Sequence, residues 1–443
     1  MESPRSYVPR LLRLAWPVAL ARLGIMGMGL VDVMVVGQLA PEQLPHGALG
    51  WAPTSVVLVT GIGLLQGVQV LAARALGQGQ PAHAGGAWRR GVAVSLVAGV
   101  LAGLLMWLGG ERVFTVFGIA PALAAPAAAV MQVLALSVPL HLTYCATAFF
   151  LEAIQRPMPS TVVMWLANVV NLGLNLALVP RYGAVGSAYA TFGARLFLAV
   201  SLVAYVLTMK DAVRYGVRPG AAGPSYGALM RIGVAAALSQ AAEAGAFSGM
   251  TIIAGRIGEQ AVAVYQILLN VLAVVFMVSM GVATATAVLA AEAAGQGSPR
   301  NAARASYVGL AVNSCGMLLA GGLVWLFAQQ ISRAYSADLV LAALTASLLP
   351  LSAVIMLPDG GQVVVAAALR ARGDNWFPTA SHVLAYAGVM PVLGFWLAET
   401  EGQGVPGLLL AICCASVLSA LVLVGRLFAL SRRALTSAGE FRT

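Results

Sequence analysis

A chain of 443 residues, 60% hydrophobic and 9% charged, with a mean hydropathy of +0.89, falls outside the soluble globular class, whose domains carry about 25% charged residues. A formal charge of +10 invites a nucleic-acid reading, which fails once the basic residues are placed along the chain. The solvent this composition suits is a lipid bilayer.

Apolar stretches long enough to cross the roughly 30 Å hydrocarbon core are predicted at 14–37, 49–71, 91–110, 124–149, 160–180 and 184–208, and again at 232–255, 262–290, 305–328, 340–367, 378–398 and 404–429. Unbroken apolar runs such as 162–170 and 408–424 argue against an outer-membrane barrel, which needs short alternating strands. With these twelve spans, nineteen of the 25 basic residues share the N-terminal side, only Arg112, Arg181, Arg256 and Arg333 face the other, and Arg22 and Arg195 lie inside helices. The basic excess is therefore topological. It places both termini in the cytoplasm of a multi-pass protein of the cell inner membrane, and implies no nucleic-acid partner. The first apolar run carries Asp32 and is followed by further helices, so it reads as a retained span and not a cleaved signal. Cys145, Cys315, Cys413 and Cys414 all fall in apolar spans and read as small core residues, with neither a disulfide nor a metal motif.

Residues 70–79, VLAARALGQG, return as VLAAEAAGQG at 288–297, 218 positions later, and at the same offset Leu20 falls on Leu238, Gly37 on Gly255 and Leu151 on Leu369. The chain is a duplication. Because each half holds six spans, both copies start from the same side, so the repeats are parallel. The expected fold is an all-α integral membrane protein with twelve transmembrane helices in two pseudo-symmetric six-helix lobes. The lobes are expected at 1–209 and 231–443, joined by a cytoplasmic linker at 210–230 that is rich in glycine, proline and charge. Gly77-Gln78-Gly79 and Gly295-Gln296-Gly297 lack the lysine and preceding strand of a phosphate loop, and read as helix C-caps.

Three acids, Asp32, Glu243 and Asp359, fall within predicted spans, where each charge costs roughly 2.5–3.5 kcal/mol on insertion scales. An ion pair is the plain explanation. Arg22 lies ten residues from Asp32, about 15 Å along the helix and on another face, so Arg195 remains the candidate partner. Glu243 and Asp359 have no basic residue close by in their own spans, and are candidates to exchange a proton, bind Na⁺ or receive a cationic group. Asn171 and Asn175, one turn apart, share a face. They serve either a cation or carboxylate, or ordinary interhelical hydrogen bonds; Asn168 lies on an adjacent stripe. Pro17 predicts a bend or a hinge in the first helix. Met26, Met28 and Met34 suit either an adaptable substrate surface or simple packing.

Val31-Asp32 followed by Met34-Val35-Val36-Gly37, Glu243 at the start of a polar stretch, and Asp359-Gly-Gly-Gln362 leading to Ala368-Leu369-Arg370-Ala-Arg-Gly373-Asp374 resemble the multidrug and toxic compound extrusion (MATE) transporters over nearly the whole chain. That resemblance implies an antiporter that exports organic cations in exchange for H⁺ or Na⁺ by alternating access, with no cofactor beyond the coupling ion. It also implies roles. Asp32 matches the helix 1 carboxylate, Asn171 and Asn175 the helix 5 pair, Thr191 a helix 6 threonine, and Pro17 a helix 1 proline near which bending has been proposed. Glu243 and Asp359 match the carboxylates of the C-terminal lobe, with Na⁺ as a possible ligand. Asn175 stands where some relatives carry Asp, which leaves Asp32 as the one embedded acid expected in the first half and shifts the expected cation site to the second. The expected partners are small cationic substrates and the lipid bilayer, and the expected state is a monomer.

Other classes fit less well. A lipid-linked saccharide flippase of the same superfamily would need a basic cavity, whereas the embedded set here is mainly acidic. A major-facilitator protein would carry a charged loop after helix 2, where this chain has Gly-Gln-Gly. An intramembrane aspartyl protease would need paired acids in short motifs on adjacent helices, so no enzyme activity is expected.

Overall fold

The computed structural model describes residues 4–116, 119–218, 223–336 and 338–440, with side chains from residue 7 to residue 432. The helices are α1 (Pro4–Leu39), α2 (Leu44–Gly77), α3 (Pro81–Val116), α4 (Pro121–Ala153), α5 (Met158–Thr208), α6 (Tyr226–Ile257), α7 (Glu259–Gly295), α8 (Pro299–Leu326), the short α9 (Ala328–Tyr335), α10 (Leu339–Ala371), α11 (Trp376–His382), α12 (Met390–Phe395) and α13 (Val405–Glu440). No strand occurs among the described residues.

Ten helical segments among the described residues are long and apolar enough to span a bilayer. One of them, α5, has 51 residues, about 75 Å at helical rise, too long for one crossing. Gly183 breaks it with φ 58° and ψ −136°, a conformation only glycine adopts freely, so α5 crosses twice. The 32 residues of α6 are also long enough, but Ser239, Gln240, Glu243 and Ser248 interrupt its apolar character. Residues 376–400 form a single span whose α-helical pieces α11 and α12 are joined by the π-helical turn Val383–Val389. The result is the expected twelve crossings. Leu104, Leu105, Leu318, Leu319, Trp325 and Leu326 point outward, as lipid-facing side chains do.

The chain forms two compact units, one of Leu20–Ala237 and the other of Met1–Ala19 with Leu238–Thr443. Both divisions fall inside helices, at positions 218 apart, so the start of each repeat packs with the body of the other. Glycine makes this packing possible. A Cβ on Gly281 of α7 would stand 2.5 Å from the Ala15 carbonyl and 2.9 Å from the Ala19 Cβ of α1. In the other unit, a Cβ on Gly63 of α2 would stand 2.8 Å from Ala237 Cα of α6. These two crossings are the same contact in the two copies of the repeat.

The segment 210–230, expected as a linker between lobes, packs within the unit Leu20–Ala237. Gly85 donates its backbone N–H to Tyr215 O at 2.8 Å, Arg90 Nη1 donates to Gly223 O at 2.8 Å, Arg89 donates to the carbonyls of Gly216 and Arg218, and Arg156 pairs with Asp211. Tyr215 and Val217 are buried.

Both Gly-Gln-Gly segments are Schellman caps. Gly79 has φ 71° and donates to Leu76 O while Gln80 reaches Ala75 O; Gly297 has φ 66° and donates to Ala294 O while Ser298 reaches Ala293 O. Asp374 and Gly373 cap α10 in the same way, and Arg156 and Gln155 cap α4. Of the cysteines, only Cys145 is a core residue. Cys315 and Cys414 are exposed, on helical faces that turn away from the packed interior, while half-buried Cys413 packs against the core; all four are free thiols.

Candidate functional site

In the unit Leu20–Ala237, half-buried Asp32 of α1 accepts three side-chain hydrogen bonds. Asn171 Nδ2 lies 3.0 Å and Asn175 Nδ2 2.7 Å from its Oδ1, and Thr191 Oγ1 lies 2.6 Å from its Oδ2. Asn171, Asn175 and Thr191 are fully or almost fully buried. The two asparagines come from the first arm of α5 and the threonine from the second, so the Gly183 break is what lets one helix grip the carboxylate from two sides. Asn168 stands apart, donating to the carbonyls of Gly24 and Met164.

Neither arginine near this region forms an ion pair with Asp32. Arg22 turns to Glu152 at 3.7 Å and lies over the Phe149 ring. Gln69 Nε2 holds the other oxygen of Glu152 at 2.7 Å. Glu152 is 3% exposed, so Asp32 is not the only buried acid of the first half. Its place at the end of α4 hid it, because helix ends usually meet water. Arg195 donates to Ser137 Oγ at 2.6 Å and lies over the Trp51 ring, 5.4 Å from its centroid. A small cavity of about 20 Å³ opens beside these groups, lined among others by Met28, Asp32, Trp51, His141, Thr191 and Arg195.

In the other unit, Asp359 of α10 is buried and accepts from Tyr386 Oη at 3.1 Å and Ser416 Oγ at 3.2 Å, both at Oδ1. Gln362, one turn on, donates to Glu243 Oε1 of α6 at 3.4 Å. The two acids lie close enough to repel one another, and buried Arg370 attracts Glu243 without forming an ion pair. His382 shares a hydrogen bond with Ser239 at 2.5 Å and packs edge-on to Tyr386. Sequence reasoning missed Tyr386 and Ser416 as partners, although both are polar residues inside predicted spans. No group of three His, Cys, Asp or Glu side chains suited to a metal occurs among the described residues; Glu243, Asp359 and Gln362 offer oxygens for a transient monovalent ion. Pro17 lies in unbroken α1, two residues before the division between units.

The repeat register shows that these clusters are not copies of one another. Counting 218 positions on, Asp32 corresponds to Met250, Ile25 to Glu243 and His141 to Asp359. Beyond Gln155 and Gly373, which share a positive φ, Pro159 aligns with Pro378, and the helix-breaking Gly183 aligns with Gly404, also at positive φ. In that register Asn175 corresponds to Gly394 and Arg195 to Ser416. Gly394 faces Met250, whose Sδ would be 2.5 Å from a Cβ there. One unit is therefore polar where the other is packed with Met250, Met390 and Ile412, and the acidic pair of one is replaced by Ile25 and His141 in the other.

A family model described as MatE matches residues 17–177 and 235–396, two segments in the same repeat register. The "Probable multidrug resistance protein NorM" of Caulobacter vibrioides is 43% identical over 418 residues, covering 93% of this chain and 89% of its own length. The "Multidrug resistance protein PmpM" of Pseudomonas aeruginosa is 28% identical, over 90% of this chain and 85% of its own. Among solved structures, the eukaryotic MATE transporter AtDTX14 superposes with a TM-score of 0.87 at 17% identity, over 98% of this chain and 99% of its own. An outward-facing multidrug resistance MATE family transporter of the MOP superfamily superposes with a TM-score of 0.86 at 20% identity, over 95% and 96%. At these identities the structural likeness is one of fold.

Proposed function

The chain belongs to the MatE family, and from that premise we propose that it is a multidrug efflux antiporter, exporting small organic cations in exchange for H⁺ or Na⁺. The observation that carries this reading is a contrast among the buried and half-buried acids. Glu152 is locked by Arg22, whereas Asp32, Glu243 and Asp359 are held by neutral donors and have no ion-pair partner within 4.0 Å among the described residues. A carboxylate held in this way keeps its geometry whether its charge is balanced by a proton, a sodium ion or an ammonium group, so those three compete for it.

In the cycle, an external ion neutralises Asp32 or the Glu243 and Asp359 pair, and the cationic substrate loses its counter-charge and leaves. The protein then changes its access, with Pro17 as the bending point, releases the ion inside and loads new substrate. No chemical bond is broken, so the protein acts as a transporter and not as an enzyme. One-for-one exchange of a monovalent cation for H⁺ is electroneutral, and a tenfold ion gradient supplies about 1.4 kcal/mol. The proposed setting is the inner membrane, with a monomer whose termini face the cytoplasm.

The test is efflux of a fluorescent organic cation from proteoliposomes under an imposed pH gradient and then an imposed Na⁺ gradient, for the wild type, Asp32→Asn and Glu243→Gln. Flux that follows one gradient and falls in a variant names the coupling ion and the unit that carries it. Flux indifferent to both gradients in all three proteins would favour the flippase reading instead.

A further inference from the structure

The C-terminal end of α3 departs from the regular helix that precedes it. Gly110 breaks the helix with φ 44° and ψ −130°, a conformation only glycine adopts freely, at the residue where the apolar stretch 91–110 ends. An open cavity of about 620 Å³ lies there between α3 and α4, lined among others by Trp107, Glu111, Arg112, Ala125, Ala129 and Gln132. It falls wholly within the unit Leu20–Ala237. The alanines of α4 leave the space unfilled, and Gln132 joins the two helices beside it, donating Nε2 to Trp107 O at 3.1 Å.

Its place along the crossing fixes its surroundings. The end of an apolar span marks the level where hydrocarbon gives way to headgroups, and tryptophan is favoured at that level. On the hydrocarbon side, Leu101, Leu104 and Leu108 share one face of α3 at helical spacing and are exposed, and Leu108 also lines the cavity. A strip of surface suited to acyl chains therefore leads into a cavity that carries charge. Glu111 and Arg112, opposite charges on adjacent residues, both line it and are both exposed, with no ion pair and no side-chain hydrogen bond among the described residues.

We propose that this cavity binds the headgroup of a phospholipid with a primary ammonium, phosphatidylethanolamine: Arg112 takes the phosphodiester, Glu111 takes the ammonium, and the acyl chains run along Leu108, Leu104 and Leu101. The planar guanidinium matches the geometry of a phosphate. Glu111 repels a headgroup whose only charge is negative, and a choline headgroup, fully methylated at nitrogen, has no N–H to donate to the carboxylate. Charge complementarity thus selects a zwitterionic headgroup with N–H donors. The site lies apart from the clusters around Asp32 and Asp359, and the inference goes beyond the transporter reading without depending on it.

The test is titration of the detergent-purified protein with phosphatidylethanolamine, phosphatidylcholine and phosphatidylglycerol of identical acyl chains, with bound lipid counted by native mass spectrometry, for the wild type, Arg112→Gln and Glu111→Gln. The wild type is expected to bind the ethanolamine lipid most tightly. Arg112→Gln is expected to weaken that binding about fivefold, the upper end for a solvent-exposed ion pair. Glu111→Gln is expected to erase the preference for ethanolamine over choline and to raise the affinity for phosphatidylglycerol.

Equal wild-type affinity for the three lipids, or a preference for phosphatidylglycerol, overturns the proposal. So does an ethanolamine preference that survives in Glu111→Gln, or an affinity that survives undiminished in Arg112→Gln, because the lipid would then sit on another face. Should either variant fail to fold, Ala129→Leu, which fills the cavity from α4, takes its place: loss of ethanolamine-lipid binding supports the site, and retention overturns it. No arm of the test measures transport, so its failure leaves the antiporter reading standing.

Discussion

Asn175 Nδ2 lies 2.7 Å from Asp32 Oδ1, and the residues at the corresponding places in the second repeat, Gly394 and Met250, pack against each other without a charge. One ancestral contact has become a polar grip in one unit and a core contact in the other. This asymmetry makes the two units separable by mutation.

Asp32→Asn removes the charge while keeping the size of the side chain. Efflux driven by the coupling gradient is expected to fall about tenfold or more, the scale of an interaction made only in the working cycle. The melting temperature in detergent is expected to hold or rise, because no ion pair is broken. A melting point that falls with the activity would make Asp32 structural.

Glu152 behaves in the opposite sense. Arg22→Met leaves Glu152 buried with Gln69 alone, and a broken buried pair costs about 3–5 kcal/mol. The expected result is a large drop in melting temperature, partly restored in the double variant Arg22→Met with Glu152→Gln. A single variant as stable as the wild type would show that the 3.7 Å pair contributes nothing.

Gly63→Val and Gly281→Val each place a branched side chain where backbone already lies within 3.0 Å of a Cβ. Both are expected to abolish accumulation of folded protein. Gly316→Ala in α8 meets nothing within 4 Å and is expected to be neutral, or stabilising by up to about 1 kcal/mol through helix propensity. Yield and monodispersity on size-exclusion chromatography compare the three.

Gly79→Ala tests the cap of α2. Its Cβ would meet no neighbour, so the whole cost is the left-handed backbone at φ 71°, about 1–2 kcal/mol. Thermal melting is expected to record a modest loss, with transport intact.

Pro17→Ala restores a backbone donor to α1 near the division between the units. A hinge role predicts slower turnover with substrate binding retained, read as a fall in kcat with little change in KM. Unchanged turnover would make Pro17 a static element.

Sequence alone determined the bilayer, the twelve crossings, the parallel duplication and the cost of burying Asp32, Glu243 and Asp359. These follow from hydropathy, from length against bilayer thickness and from identity at a fixed spacing, all of which are read along one dimension. The C-caps at Gly79 and Gly297 were legible for the same reason, since a helix end depends on its own few residues.

Tertiary structure decided who meets whom. A helix turns about 100° per residue, so a bend at Gly183 or a close approach at Gly281 selects the side chains that face each other, and neither is encoded near the residues it affects. Arg22 therefore went to Glu152, Asp32 to the two arms of α5, and Tyr386 and Ser416 to Asp359. Two of the four cysteines, Cys315 and Cys414, turned away from the core, and the units divided inside α1 and α6 instead of at a linker. Pairing of helix faces is a property of the packed bundle, and only the packed bundle shows which acids meet an arginine and which are held by neutral donors.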